Sequence, residues 1–323
     1  MRVKMVQVDG ALPNLAIAKL AAWHRSQGDD VTVTSSIDRT LFDDDWDRVY
    51  GSAIFRFSHA RLTEFQRRYP EAVIGGTGTD SQAAVEAITG PDWHRVDLSD
   101  WPGFRDSVGF TQRGCRMRCG FCVVPTKEGA NRSVATIGDI WRGDPYPRRL
   151  HLLDNDFFGQ PRDQWQARVA EIRAGNFRVC LSQGINVRLI DDEAAAALAT
   201  IEYRDTSWQR RRLYTAWDNL GDEKVFMAGV DRLKAAGVPP SHLMTYMLVG
   251  YAIDEDWDRI WHRFGRMVDR GIKPYPMVFN RSRRDLRVWA RWVLTGLYRA
   301  VPWDEYRHDD KSPASVEAWR KSA

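Results

Sequence analysis

Three of the four cysteines lie within eight residues, in the run Gly114-Cys115-Arg116-Met117-Arg118-Cys119-Gly120-Phe121-Cys122. The C-x3-C-x2-C spacing puts three thiolates on one tight loop. Such a set can ligate three irons of a four-iron cluster. The fourth iron then has no protein ligand, and a cofactor or substrate can chelate there. Two other readings of these residues stay open. Cys180 could take the fourth position and give an inert electron-transfer cluster. A zinc site wants four protein ligands, usually in two paired knuckles. No second C-x2-C pair exists, so His151 and Cys180 could complete one only by coincidence of fold. A secreted disulfide framework would spread the cysteines to close loops, so clustering points to a metal in a reducing compartment.

The loop needs elements to hold it. Val108 to Thr111 reads as a strand that delivers it. Further strands are expected at 150–153, 177–182, 212–215, 243–249 and 276–279, separated by helical stretches at 164–174, 191–199, 224–236 and 254–270. Six βα units read as a partial or open parallel (β/α)6 TIM-like barrel, with functional groups at the carboxyl ends of the strands. Ahead of it, strands at 2–8, 31–34, 48–55 and 72–74 alternate with helices that bear Ile17, Leu20, Ala21 and His24, and then Leu62 to Arg68. That alternation predicts a small doubly wound α/β (Rossmann-like) domain over residues 1–85. Residues 86–106, rich in Asp, Pro and Trp, read as a connector; 107–282 is the barrel, and 283–323 a helical extension that frays beyond 309.

With 323 residues, 43% of them hydrophobic, the chain can bury a large core in about two domains. A net charge of +4 with 28% charged residues is too balanced to argue for nucleic-acid binding by itself. No stretch of ~18 apolar residues exists, and the start Met1-Arg2-Val3-Lys4 is too brief for a signal peptide, so a cytoplasmic protein with no membrane contact is expected. Many of the 14 tryptophans, such as Trp257, Trp261, Trp289 and Trp292, fall in helical segments. They read as core or rim residues of amphipathic helices, with a stacking surface for bases or sugars as the alternative.

Phe121, an aromatic directly before the last cysteine, completes a resemblance. The loop resembles that of the radical S-adenosylmethionine (SAM) superfamily, whose pattern is C-x3-C-x-aromatic-C at the first strand of a partial barrel. The resemblance covers roughly residues 105–285. It implies an oxygen-sensitive 4Fe-4S cluster held by Cys115, Cys119 and Cys122, and SAM chelating the open iron. It implies reductive cleavage of SAM to a 5′-deoxyadenosyl radical that abstracts hydrogen from an organic substrate, in a barrel that excludes water. It also implies an external flavodoxin- or ferredoxin-type electron donor.

The family's Gly-Gly-Glu-like stretch, which binds the methionyl amine, corresponds here to Asp154, Asn155 and Asp156. The match is by position and chemistry, since neither Gly is present. Ser182, Gln183, Asn186 and Arg188 fall where the family makes ribose and carboxylate contacts, with Arg188 able to pair with the SAM carboxylate. Val249, Gly250 and Tyr251 fall where adenine packs; Lys127-Glu128-Gly129 lies just past the loop, and Trp217-Asp218 could close the barrel mouth. No catalytic hydrogen donor is readable; Cys180 and Tyr214 could relay a hydrogen atom, although buried Cys and Tyr are mostly core residues.

An α/β domain ahead of such a barrel is similar to the arrangement in cobalamin-binding radical SAM enzymes. No Asp-x-His-x-x-Gly motif occurs, and the domain is short, so a degenerate domain without cobalamin is favoured over a cobalamin-dependent methyltransferase. The turn Gly75-Gly76-Thr77-Gly78 could approach a phosphate or simply end a strand. A third reading is a metal-stabilised nucleic-acid-binding module, resting on the tryptophans and on the basic runs 209–212 and 281–287, which Asp43-Asp44-Asp45 offsets. The substrate is not readable, and a nucleic-acid base is among the open choices.

Overall fold

The computed structural model describes residues 1–39, 46–81, 83–91 and 93–307. The expected frayed tail at 309–323 and the acidic run 43–45 lie outside them. The chain divides into two compact units: Met1–Gly109 with Val134–Leu150, and Phe110–Ser133 with His151 to the end.

The first unit opens with β1 (Arg2–Gln7), α1 (Leu15–Ser26), β2 (Asp30–Thr34), β3 (Arg48–Ser52), α2 (His59–Arg68) and β4 (Val73–Gly75). The strands form one parallel sheet in the order β2-β1-β3-β4. Side chains alternate across a strand. Val3 and Met5 therefore pack with Ile17, Leu20 and Ala21 of α1, while Val6 and Val8 pack with Leu62 and Phe65 of α2. Both faces are covered, as a parallel sheet requires. The Asn14 side chain caps α1 by accepting from the Ala16 and Ile17 amides.

The glycine-rich turn after β4 is explained by close backbone packing. A Cβ on Gly76 (φ +108°) would lie 2.0 Å from the Ala53 carbonyl oxygen, and one on Gly78 would lie 2.6 Å from the Phe55 nitrogen. Glycine admits this approach where other residues clash. Among its described residues the expected connector contains one short helix, α3 (Glu86–Thr89), before β5 (Ser107–Gly109).

The chain then makes β6 (Gln112–Arg113), α4 (Val124–Lys127), β7 (Arg132–Ser133), α5 (Ile137–Ile140) and β8 (Arg149–Leu152). There follow α6 (Arg162–Ala174), β9 (Arg178–Cys180), α7 (Asp192–Ala199), β10 (Glu202–Tyr203), β11 (Leu213–Ala216), α8 (Glu223–Ala235), β12 (Leu243–Val249), α9 (Trp257–Asp269), β13 (Lys273–Val278) and α10 (Arg284–Leu294). One sheet runs β10-β9-β8-β5, with the unit boundary inside β8; another runs β11-β12-β13. Pairs β9/β10, β11/β12 and β12/β13 are parallel. The fold is thus mixed α/β with parallel sheets.

Three boundaries depart from the sequence reading. β9 stops at Cys180, and a turn through Gly184 (φ +98°) follows, so Ser182 does not continue the Cys180 face of a strand. β5 stops at Gly109; the Thr111 amide beyond it donates to Asp154 instead. β13 begins at Lys273 although Pro274 and Pro276 lie within it. It is the edge strand of its sheet, where a residue without an N–H is tolerated.

Trp257, Trp261, Trp289, Trp292 and Trp303 meet one another and Phe264 within the α9–α10 layer, with ring centroids such as 5.9 Å for Trp261–Trp292 and 5.7 Å for Phe264–Trp289. Those rings are helix-packing residues, each suited to edge-to-face contact. Among the described residues, no helix is long and apolar enough to cross a membrane.

Candidate functional site

The cysteine loop is an excursion of the second unit, closed at its base by the antiparallel pair β6–β7. Gln112 organises that base. Its Nε2 donates to the Gly114 carbonyl at 2.6 Å and to Asn131 Oδ1 at 2.7 Å, and its Oε1 accepts from the Asp156 amide at 2.8 Å. Gly114 (φ +81°) precedes the first cysteine, and a Cβ there would sit 2.3 Å from the Ala130 oxygen. Only glycine fits that approach. Arg113 pairs with Glu128 at 2.8 Å.

Cys115, Cys119 and Cys122 are free and partly buried. The Met117 amide donates to Cys115 Sγ at 3.3 Å and the Val124 amide to Cys122 Sγ at 3.5 Å. Burial pushes the Cys115 thiol up, and Asp156, Cys119 and Cys122 push it further. Thiols crowded this way resist ionising together unless a cation joins them. Among the described residues, no group of three or more His, Cys, Asp or Glu is gathered as a metal site. The donor chemistry fits an iron–sulfur cluster nonetheless: three reduced sulfurs on one loop, two of them receiving backbone N–H groups. Cys180 is fully buried among Trp208, Tyr214, Met244 and Tyr246, and His151 packs edge-on against Trp208 at 4.7 Å.

The segment after β8 clamps the loop. Asp154 accepts from the Thr111 amide (2.7 Å), the Gln112 amide (3.2 Å) and the Thr111 hydroxyl. Fully buried Asp156 takes a two-pronged contact from Arg116, at 2.7 Å from Nε and 3.0 Å from Nη2. Two of the three acceptors expected for an ammonium group are therefore engaged by the loop itself. Asn155 between them keeps a buried Nδ2 with no hydrogen-bond partner among the described residues.

Burial pushes the Asp154 carboxyl up to about 7, against the pull of its hydrogen bonds. Its folded value exceeds its unfolded one, so the folded state holds the extra proton. The associated stability is full below about pH 4 and is lost as pH rises through about 7. Asp154→Asn can keep all three contacts without the charge. Its unfolding free energy relative to wild type should climb between pH 4 and pH 7.5, by an amount of order 1–4 kcal/mol. A constant offset across that range would refute the assignment.

After β9, Ser182 and Gln183 occupy the turn, and the Ser182 carbonyl accepts from the Tyr246 hydroxyl at 2.6 Å. Asn186 keeps a buried Oδ1 with no hydrogen-bond partner among the described residues. Arg188 donates to Asp222 at 2.7 Å and also reaches the Cys119 sulfur. Of these four residues, Arg188 is the one brought to the cysteine loop.

Val249, the last residue of β12, is buried, and Gly250 (φ +77°) after it donates its amide to Glu255. Tyr251 lies on the loop: its ring meets Phe121 at 5.3 Å and Phe279 at 4.9 Å, and a Cβ on Gly120 would sit 2.8 Å from its hydroxyl. Asp218 accepts from the Leu248 amide at 2.8 Å, and burial pushes its carboxyl up. Burial also pushes Lys127 down. Tyr214 stacks on Tyr246 at 5.9 Å, within the cluster that buries Cys180.

Arg263 of α9 was not singled out from the sequence. It is 1% exposed, donates at 3.0 Å to the carbonyls of Trp217, Asp218 and Leu248, and pairs with Glu255. It thereby ties together the ends of β11 and β12. Its signal was a charge on the apolar face of α9, in line with Ile260, Phe264 and Met267. Arg116 and Asp222 were missed as well; Arg116 sits at a variable position of the motif, and Asp222 is 34 residues from its partner.

No protein-family model matches the chain, and neither does any curated protein or solved structure.

Proposed function

We propose that the chain is a radical SAM enzyme acting on an organic substrate. The observation that carries this reading is the loop of three free, partly buried cysteines in C-x3-C-x2-C spacing, pinned to the carboxyl-terminal side of β8, β9 and β12. When a four-iron cluster and SAM are bound, they supply one-electron cleavage of the sulfonium and a 5′-deoxyadenosyl radical. The protein's residues do the rest. Arg116, Asp156 and Gln112 hold the loop in place. Arg188 sets a positive charge beside Cys119. Asn155 and Asn186 each keep a buried polar atom free for a ligand, one donor and one acceptor, and a buried group without a partner is costly unless something satisfies it. Phe121 and Tyr251 meet edge-to-face at the loop. The two parallel sheets read as the wall of a partial (β/α)6 barrel, joined where the Ile185 amide donates to the Tyr214 carbonyl at 2.8 Å. An external flavodoxin- or ferredoxin-type protein would deliver the electron.

Anaerobically reconstituted protein should hold iron and sulfide in about equal amounts, close to four of each per chain. Given SAM and dithionite, it should release 5′-deoxyadenosine and methionine. A fully formed four-iron cluster that yields neither product would defeat the proposal.

A further inference from the structure

We propose that the amino-terminal edge of the β11-β12-β13 sheet binds the phosphodiester backbone of single-stranded nucleic acid. Four cations from three chain segments meet there. Arg210 and Arg212 lie just ahead of β11, Lys273 is the first residue of β13, and Arg299 ends the 3-10 turn after α10. The registers Leu213↔Leu243 and Met244↔Lys273 place Arg212 and Lys273 on the same edge, two strands apart. That is a span of roughly 10 Å.

These cations are held by something other than carboxylates. Arg212 donates to the carbonyls of Ser241 (3.1 Å) and Leu243 (3.5 Å), and Arg299 lies over the Tyr298 ring at 5.1 Å. Neither Arg210, Arg212, Lys273 nor Arg299 has an ion pair among the described residues. The acid close by, Asp205, accepts instead from the Ser207 hydroxyl and the Gln209 and Arg210 amides. Elsewhere in this unit arginines are paired: Arg113 with Glu128, Arg188 with Asp222, Arg266 with Glu223. The repulsion is felt: burial pushes Lys273 down, and Arg212, Arg299 and Arg210 push it further. Cations gathered without counter-charge cost free energy that a multivalent anion returns.

The chemistry selects the anion. Guanidinium groups offer paired N–H donors that match phosphate oxygens. The span exceeds a single phosphate and suits consecutive backbone groups, and Tyr298 offers a ring beside Arg299 for a base to stack on. The site lies at the opposite end of β12 from Tyr251, which meets the cysteine loop, so it stands apart from the chemistry proposed above.

Anisotropy of a fluorescent twelve-nucleotide single strand, titrated with the full-length chain at 25–200 mM KCl, tests it. Four backbone contacts predict a log–log salt slope of about −3. Arg210→Glu/Arg299→Glu should weaken binding at least tenfold at 50 mM salt and cut the slope by about half. Arg173→Glu/Lys224→Glu, an equal change of charge on α6 and α8, should stay within twofold of wild type. Arg210→Gln/Arg299→Gln serves if the charge reversal fails to fold, and should weaken binding at least threefold. The proposal is overturned if wild type does not bind at 25 mM salt, if both charge-reversed pairs weaken binding alike, or if inorganic phosphate at the same phosphate concentration displaces the strand.

Discussion

Replacing any one of Cys115, Cys119 or Cys122 by alanine should reduce bound iron to under about a tenth of wild type and bring SAM cleavage to background, while Cys180→Ala keeps its iron. The three sulfurs belong to one short loop with Gly114 at its entry and Arg116 anchored to Asp156. Changes to groups that merely support a metal ligand cost about 10–100-fold, and losing a ligand outright costs more. Cys180 is fully buried in an aromatic cluster with Trp208 and Tyr214. Its loss should read as a packing defect of about 1 kcal/mol, visible in melting and absent from metal analysis. Metal and sulfide assays on the four variants decide the matter. If Cys180→Ala also lost its iron, the cluster would have four side-chain ligands and no open position for SAM.

Arg263→Met should be the most damaging single change outside the loop, lowering stability by about 3–5 kcal/mol. It leaves three backbone carbonyls, those of Trp217, Asp218 and Leu248, without their donor. It also leaves the Glu255 carboxylate, 7% exposed, without its cation. A buried charge stripped of its partner is the expensive part. For a unit of this size the melting temperature should fall by roughly 10 °C. Arg263→Met/Glu255→Gln should recover part of that loss, because Gln can still accept from Gly250 and brings no charge. Lys at 263 should not rescue, since its single ammonium cannot fork to four acceptors. Thermal melts of the three variants suffice; a shift under about 2 °C for Arg263→Met would show that the hub carries little.

The parts legible in the sequence were those written locally. β12 coincides end to end with the strand expected at 243–249, a run rich in apolar residues. The helices α6 to α9 match the helical stretches expected at 164–174, 191–199, 224–236 and 254–270 to within a few residues. The cysteine loop needed only its own eight residues. What stayed hidden was nonlocal. Asp154 meets Thr111 across 43 residues, Arg188 meets Asp222 across 34, and Arg263 meets Trp217 across 46. Each pairing replaces a solvent contact with one that no window of sequence displays. β10, two residues long, is too short for any period to emerge. Ser182 falls within the strand expected at 177–182 because alternation continues on paper past Cys180, where the turn that closes at Gly184 begins.

The first unit is assembled from Met1–Gly109 and Val134–Leu150, with the cysteine segment lying between them in the chain. During synthesis, the thiols therefore leave the ribosome before that unit possesses all its residues, and long before His151 onward exists to complete their own. No single proteolytic cut or fusion junction can separate the two units, because a fragment starting at Phe110 carries off seventeen residues that belong to its neighbour. A truncation point chosen from the order of elements alone would divide the polypeptide at the wrong place.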